Sequence, residues 1–544
     1  MARGDLPPDA VAAPRRLREE RPSAGETHDD GLADDVISRL VPPMTGSPFW
    51  GWAGPLLVTL FGAFLRFDRL GVPHGVVFDE TYYVSDGWGI LRHGVEIDPV
   101  GLGKTGSREL LDRLLAHGSA NILAGTQGEL VAHPPLGKEM IAVGEWLFGL
   151  TPFGWRFSVA LVGSLSILLL ARIVRRMTRS TLLGCVAGLL MALDGLELVL
   201  SRTAILDIFV MFWTLAAFGC LVIDRDRSRL RLGLAAESGD HLAGGGGPWL
   251  GVRWLRMLAG VCLGCAVASK WNGAWFILAF GGLTVAWDIG ARRAAGCEDA
   301  VLGFLRRDAA WLPAWLVLVP AAVYTASWTG WFATPYGWNR NGAYFNNGHP
   351  TSTIAAWLAY NRWMLRFGLG LAQHQGYQSN PAGWLVLARP ISFYSVCSRP
   401  CGGATEQEVL AIGTPVIWYG SVAALLVCAA LWVWRRDWRA AAVLASVAAG
   451  WLPWIWFYLH DHRTEFYYYA IAFEPFLIIA IALCLGLIIG PRRASAGRRA
   501  VGAILAGTYT MAVLLNFAYL YPVLAARVIP YSSWLSRMWF RSWI

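Results

Sequence analysis

At 544 residues the chain is 55% hydrophobic and only 15% charged, with a mean hydropathy of +0.43, whereas a water-soluble domain carries about 25% charged residues. A wholly soluble fold is therefore excluded. The net charge of +9 is modest for this length, and the arginines cluster between hydrophobic runs instead of on one basic face, which argues against a nucleic-acid partner.

Residues 1–47 are rich in Pro, Asp, Glu, Arg and Ala without an apolar run, and are expected to form a disordered cytoplasmic tail. The first hydrophobic segment starts near Trp50 and is followed by no small-residue cleavage site, so it is expected to stay as an uncleaved first span. A span needs about 20 apolar residues. Eleven segments qualify, at roughly 51–67, 154–174, 181–199, 204–223, 253–269, 271–288, 310–328, 413–433, 440–459, 468–489 and 500–521. The apolar stretch 139–151 is too short and is expected to lie along the membrane surface. Trp534, Trp539 and Trp543 beside Arg537 and Arg541 suggest the same for the segment 522–544.

Orientation follows from arginine. Five clusters (Arg172 to Arg179, Arg225 to Arg231, Arg292 to Arg307, Arg435 to Arg439 and Arg492 to Arg499) fall on one side of an eleven-span layout. The positive-inside bias makes that side cytoplasmic. Arg66 and Arg69 after the first span point the other way, but five loops outweigh one. The N-terminus is then inside, the C-terminus outside, and two long loops, 68–153 and 329–412, face outward.

The residues that could carry chemistry gather on that outer face. Asp79-Glu80, flanked by Phe78 and by Tyr82-Tyr83, follows the first span, where a carboxylate in a partly dry site gains basicity suited to a general base. The same acids could instead be a solvated helix N-terminus. His133-Pro134-Pro135-Leu136-Gly137-Lys138 and Trp155-Arg156 supply cations for a lipid phosphate, or ordinary snorkelling side chains. Charges inside spans are usually paired, and Arg202 with Asp207 is the expected pair in Ser201 to Asp207. Only three of the 46 basic residues are lysines, and Lys104, Lys138 and Lys270 all face outward in this layout. In the second loop His374, Tyr377, Ser379 and Trp384 form either an acceptor surface or a packed turn.

Two further patterns are weaker. Gly101-Leu102-Gly103-Lys104-Thr105 lacks the first glycine of a phosphate-binding loop, with Asp98 in its place. His460-Asp461-His462 is a weak divalent-metal signal. Most of the nine cysteines fall in apolar runs, but Cys397 and Cys401 sit in a polar outer loop where a disulfide can form.

From about residue 51 to the end, the chain resembles the protein O-mannosyltransferases in their actinobacterial form. The likeness rests on Arg66 with Phe78-Asp79-Glu80, His133 to Lys138, Trp155-Arg156, Ser201 to Asp207, His374 to Trp384 and Arg389-Pro390. The resemblance implies an all-α polytopic GT-C-type fold in a bacterial plasma membrane. It also implies mannose transfer from a polyprenyl-phosphate carrier to Ser or Thr hydroxyls of secreted proteins, in the neighbourhood of the secretion translocon. Asp79 then looks like the base and Glu80 its partner, Arg66 and Arg156 match basic positions of the family, and Lys138 is the added candidate for the phosphate, with His133, Arg202, Asp207 and Lys270 around it. The 329–412 loop has no room for the large β-trefoil insert of eukaryotic members. A lipid phosphate leaves readily, so the expected reaction is an inverting displacement with no required cofactor. Transfer of another lipid-linked sugar, a lipid or glycan acceptor, or transport of a lipid-linked sugar are the alternatives, although transport predicts repeated halves and broken helices that the sequence lacks.

Overall fold

The computed structural model describes residues 37–99, 115, 121–238, 245–397, 403–491 and 493–544. Outside them lie residues 1–36 of the expected tail, the 101–105 glycine-lysine run, residues 239–244 and Cys401.

Each of the eleven apolar segments is helical, as lipid demands of a backbone that must satisfy its own hydrogen bonds. Among the described residues, eight helices are long and apolar enough to cross a membrane: Trp50–Phe67, Pro152–Thr178, Asp207–Glu237, Trp271–Ala294, Ala309–Ser327, Pro415–Arg435, Trp438–His460 and Ala496–Leu524. The other three segments hold shorter apolar helices, Thr181–Ala192, Trp254–Ser269 and Glu474–Ile489. The protein is thus a multi-pass membrane protein. The apolar stretch of Asp207–Glu237 is 72% buried and that of Ala309–Ser327 only 11%, which puts the first in the middle of the bundle and the second at its rim.

Local chemistry sets the helix ends. Thr151 accepts from the Gly154 N–H ahead of Pro152, and Ser180 does the same for Leu183. The segment 181–199 is not one helix: it stops at Ala192, and the Asp194 carboxylate caps a second short helix, Gly195–Leu200, through the Leu196 and Glu197 N–H groups. Asp194 also accepts from Thr414 N and Trp418 Nε1, which ties this break to the start of the Pro415–Arg435 helix.

The arginine-rich turns meet one another on one side. Arg176 and Arg179 both hold Asp226, at 3.0 and 2.9 Å. Arg253 and Arg256 share Asp224 and Asp288, Arg292 holds Asp308, and Arg225 lies over the Trp438 ring. Residues 37–40, expected to be disordered, form a helical turn whose Leu40 side chain is buried and whose Leu40 carbonyl accepts from Arg229.

The long loops occupy the other side. The helix Glu80–His93 packs on Leu136–Phe148, which buries Lys138, Ile141 and Glu145 and exposes Val143, Trp146 and Leu147, the two faces an interfacial helix needs. Strands β1 (Ile97–Pro99) and β2 (Leu123–Gly128) form one antiparallel pair. Strands β3 (Ile391–Cys397), β4 (Thr405–Ala411) and β5 (Val528–Pro530) form a second sheet in that order. The segment 522–544 is therefore not a single surface helix. After Leu524 it adds β5 to this sheet and buries Trp543, whose indole donates to the Leu387 carbonyl. Cys397 is disulfide-bonded.

Candidate active site

Phe78 holds a left-handed backbone, φ 52°, and turns the chain into the helix Glu80–His93 with Asp79 at its N-cap. The turn sends two adjacent carboxylates to different places. Glu80 points inward and is completely buried, and Arg156 donates to both its oxygens at 2.8 Å. Two backbone N–H groups, of Val77 and Ala204, complete its shell. Arg156 spends its remaining donors on the carbonyls of Leu70, Pro73 and Gly75. Asp79 stays half-buried beside Tyr468, whose hydroxyl lies 3.4 Å from its Oδ2.

Tyr468 belongs to a 3₁₀ turn, Tyr467–Ala472, in which all three tyrosines are buried. Tyr467 fixes the turn by accepting from Gly413 N. On the other side of Tyr468 stands Lys270, its ammonium 5.6 Å from that ring and 4.2 Å from the Tyr469 ring. Asp207, at the N-terminus of the central helix, takes both Lys270 bonds at 2.8 and 3.0 Å. Arg463 lies over Trp454 and Tyr469 and donates to the backbone carbonyls of Gly368 and Thr464. Carboxylate and cations thus meet on one tyrosine pair.

Lys270, Arg463 and His133 form the polar end of a cavity of about 560 Å³. Its other wall is apolar, through Ile277, Met364 and Phe457 to Leu278 and Leu365, which are exposed. Burial first, and then the charges of Lys270, Lys138 and Arg463, hold the His133 imidazole well below its ordinary range, so it stays neutral. The arrangement offers one anion site at the head of a groove shaped for a hydrocarbon tail.

Several expectations are corrected. Arg202 does not pair with Asp207; it donates to the carbonyls of Leu65, Arg66, Asp68 and Arg69 and so closes the end of the first helix. Arg66 is buried against Glu197 inside the bundle, with no exposure to a ligand. Lys138 is not at the cavity mouth. It is fully buried between Glu96 and Asp86. Burial lowers its affinity for a proton, but Glu96 and Asp86 outweigh that and hold the ammonium above its ordinary range. Burial conversely pushes Asp86 up to about 7 despite Lys138. The five expected acceptor or loop residues, Tyr82, His374, Tyr377, Ser379 and Trp384, divide between surface and core. Trp384 and Ser379 are core, joined by a 2.8 Å bond, while His374 and Tyr377 are exposed. Tyr82 is also exposed. His460 stacks on Trp456, and among the described residues no three His, Cys, Asp or Glu side chains converge as a metal site.

Arg463, Tyr468, Tyr469 and Trp454 escape the sequence reading. The signal that could have found the first three is the Arg-Thr-Glu-Phe-Tyr-Tyr-Tyr run at 463–469, dense in aromatics ahead of a span.

Comparison with known proteins covers most of the chain. The model of dolichyl-phosphate-mannose-protein mannosyltransferases matches residues 150–329, and that of the C-terminal four-transmembrane region of protein O-mannosyltransferases matches 353–543. The chain is 37% identical over 529 residues to a polyprenol-phosphate-mannose–protein mannosyltransferase of Mycolicibacterium smegmatis, which covers 93% of this chain and 96% of that protein. It is 33% identical over 544 residues to the protein of the same name from Corynebacterium glutamicum, covering 95% and 98%. The donor-bound Pmt1-Pmt2 protein O-mannosyltransferase complex of S. cerevisiae shares the fold, with a TM-score of 0.69 at 14% identity over 94% of each chain.

Proposed function

This chain belongs to the protein O-mannosyltransferase family, and from that premise we propose how its own residues divide the transfer of mannose from a polyprenyl phosphate to a protein hydroxyl. The enzyme is a GT-C-type glycosyltransferase, so the work to be assigned is donor binding, acceptor activation and departure of the lipid phosphate.

The observation that carries the assignment is the shared tyrosine pair, with Asp79 on one side and Lys270 and Arg463 on the other. The donor's phosphate sits at Lys270 and Arg463, with the polyprenyl chain along the apolar wall towards Leu278. The acceptor hydroxyl gives its proton to Asp79 as its oxygen bonds to the anomeric carbon. The carbon–oxygen bond to the phosphate breaks, and the polyprenyl phosphate leaves with the electron pair, its growing charge met by the two cations. Inversion is supported by Glu80: both its oxygens are committed to Arg156, which leaves no second carboxylate of this pair to act as nucleophile. Cations already placed at the phosphate supply the charge stabilisation a metal would bring, so no cofactor is assigned.

The site is assigned to the extracytoplasmic face of a bacterial plasma membrane, because the arginine-rich turns lie on the opposite side. Acceptors would then be secreted proteins met as they emerge from the translocon.

The test is transfer of labelled mannose from polyprenyl-phosphate-mannose to a Ser/Thr peptide by the purified enzyme, with and without chelator. Asp79→Asn should abolish transfer and leave donor binding within about twofold, since it removes the base and keeps the shape. Turnover retained in that variant overturns the base; sensitivity to chelator overturns the metal-free assignment.

A further inference from the structure

The sheet on the outer-loop side has two unlike edges. β5 is three residues long and ends on Pro530, which has no N–H to offer. Short strands and prolines are how proteins blunt an edge. β3 on the other edge runs for seven residues, Ile391–Cys397, with neither proline nor charge. Among the described residues β4 is the one strand it pairs with, and along Ile391 to Val396 no described loop backbone bonds to its other side. Its exposed residues are Ser395 and Val396, the latter 51% exposed, while the side chains of Ile391 and Phe393 are buried.

This open edge leads to the base. Register slips between Ser392 and Tyr394, which makes Phe393 the extra residue of a bulge. Bulges re-aim side chains beside active sites. The Phe393 ring stacks on Phe78 at 4.7 Å and 11° and meets Tyr468 at 5.6 Å. Phe78 immediately precedes Asp79, and Tyr468 touches it. One layer of aromatic rings therefore separates the strand edge from the carboxylate.

We propose that the outer edge of β3 is the acceptor track: an extended Ser/Thr-containing segment pairs with it as an added strand and brings one hydroxyl to Asp79. The inference rests on the mannosyl-transfer reading above and adds how the polypeptide is held. Strand addition recognises main chain, with side chains pointing alternately to the two faces. It suits an enzyme that must take many sequences around one hydroxyl.

The experiment uses the full-length enzyme in nanodiscs, polyprenyl-phosphate-mannose, and a set of single-threonine peptides in which each backbone nitrogen in turn is N-methylated. The expected result is a period-two profile: methylation at alternate positions raises the acceptor KM tenfold or more, and at the intervening positions less than twofold. Transfer with a flat or position-independent profile overturns the track and leaves the mannosyl-transfer reading standing. No transfer to the unmethylated peptide overturns both.

Discussion

Glu80 and Arg156 are joined by two parallel bonds of 2.8 Å, Nε to Oε1 and Nη2 to Oε2, with neither side chain open to solvent. The pair fastens the start of the Glu80–His93 helix to the long Pro152–Thr178 helix. Asp79, one residue earlier, inherits its position from that clamp.

Removing one partner strands the other as a buried charge, which costs about 3–5 kcal/mol. Glu80→Ala should therefore lower the melting temperature in detergent sharply and abolish transfer. Arg156→Lys keeps the charge but not the fork, nor enough donors for both Glu80 oxygens and three carbonyls. It should melt between Glu80→Ala and wild type. An Arg156→Lys enzyme as stable and active as wild type would show that the clamp does not place Asp79.

Arg463 offers a cleaner test of the donor site than Lys270. Its charge faces rings and carbonyls, and the neighbouring Glu465 carboxyl is pushed up to about 9 by burial despite Arg463, so Arg463→Gln strands no ionised carboxylate there. A charge-assisted bond to phosphate contributes about 1.5–3 kcal/mol, so the donor KM should rise at least tenfold with little change in melting temperature. Lys270→Met should be made together with Asp207→Asn, because the single change leaves Asp207 buried and unpaired. An unchanged donor KM in both would remove the phosphate from this cavity.

Lys138 should behave in the opposite way. Lys138→Met leaves Glu96 and Asp86 without their counter-charge. The variant should lose thermal stability while donor KM stays within about twofold. A donor-specific defect in a normally stable Lys138→Met enzyme would return the lysine to the phosphate.

Glu145 makes a pH-dependent prediction. Both its oxygens are buried without hydrogen-bond partners, and burial first, then Asp86, push its carboxyl well above the ordinary range. An acid whose folded value exceeds its unfolded value of about 4.3 favours the fold while protonated. That contribution is lost as pH rises from the unfolded value through the folded one. Glu145→Gln mimics the protonated form. It should match wild type near pH 5 and melt higher at pH 9. A constant difference across that range would mean Glu145 does not titrate with folding.

How far the sequence reads through to the structure depends on the range of the interaction. The eleven apolar segments are set by local composition, and each is helical, although 181–199 breaks into two helices at Asp194. Asp79-Glu80 is a local pattern as well, and the fold sets Asp79 beside Tyr468 and Glu80 against Arg156. Partners are not local. Lys138 is neutralised by Asp86 and Glu96, 52 and 42 positions earlier in the chain, and no spacing rule links them. Arg202 and Asp207 are close in sequence, yet Asp207 opens a new helix and turns to Lys270 instead. Arg463 and Tyr468 gain meaning only against Trp454, Lys270 and Asp79, which the fold gathers from distant segments. The C-terminal tryptophans suit a membrane surface by composition, but strand pairing with β4 takes their segment elsewhere.

The left-handed backbone at Phe78 has a last consequence. Glycine would hold that conformation at lower cost, since an ordinary side chain there is strained by about 1–3 kcal/mol. The ring is kept because it stacks on Phe393 and stands edge-on to Phe466 and Tyr468. A Phe78→Gly chain would relax its turn but lose those ring contacts and free the neighbouring carboxylate to wander, so at position 78 the packing that offsets the strain is also what places Asp79.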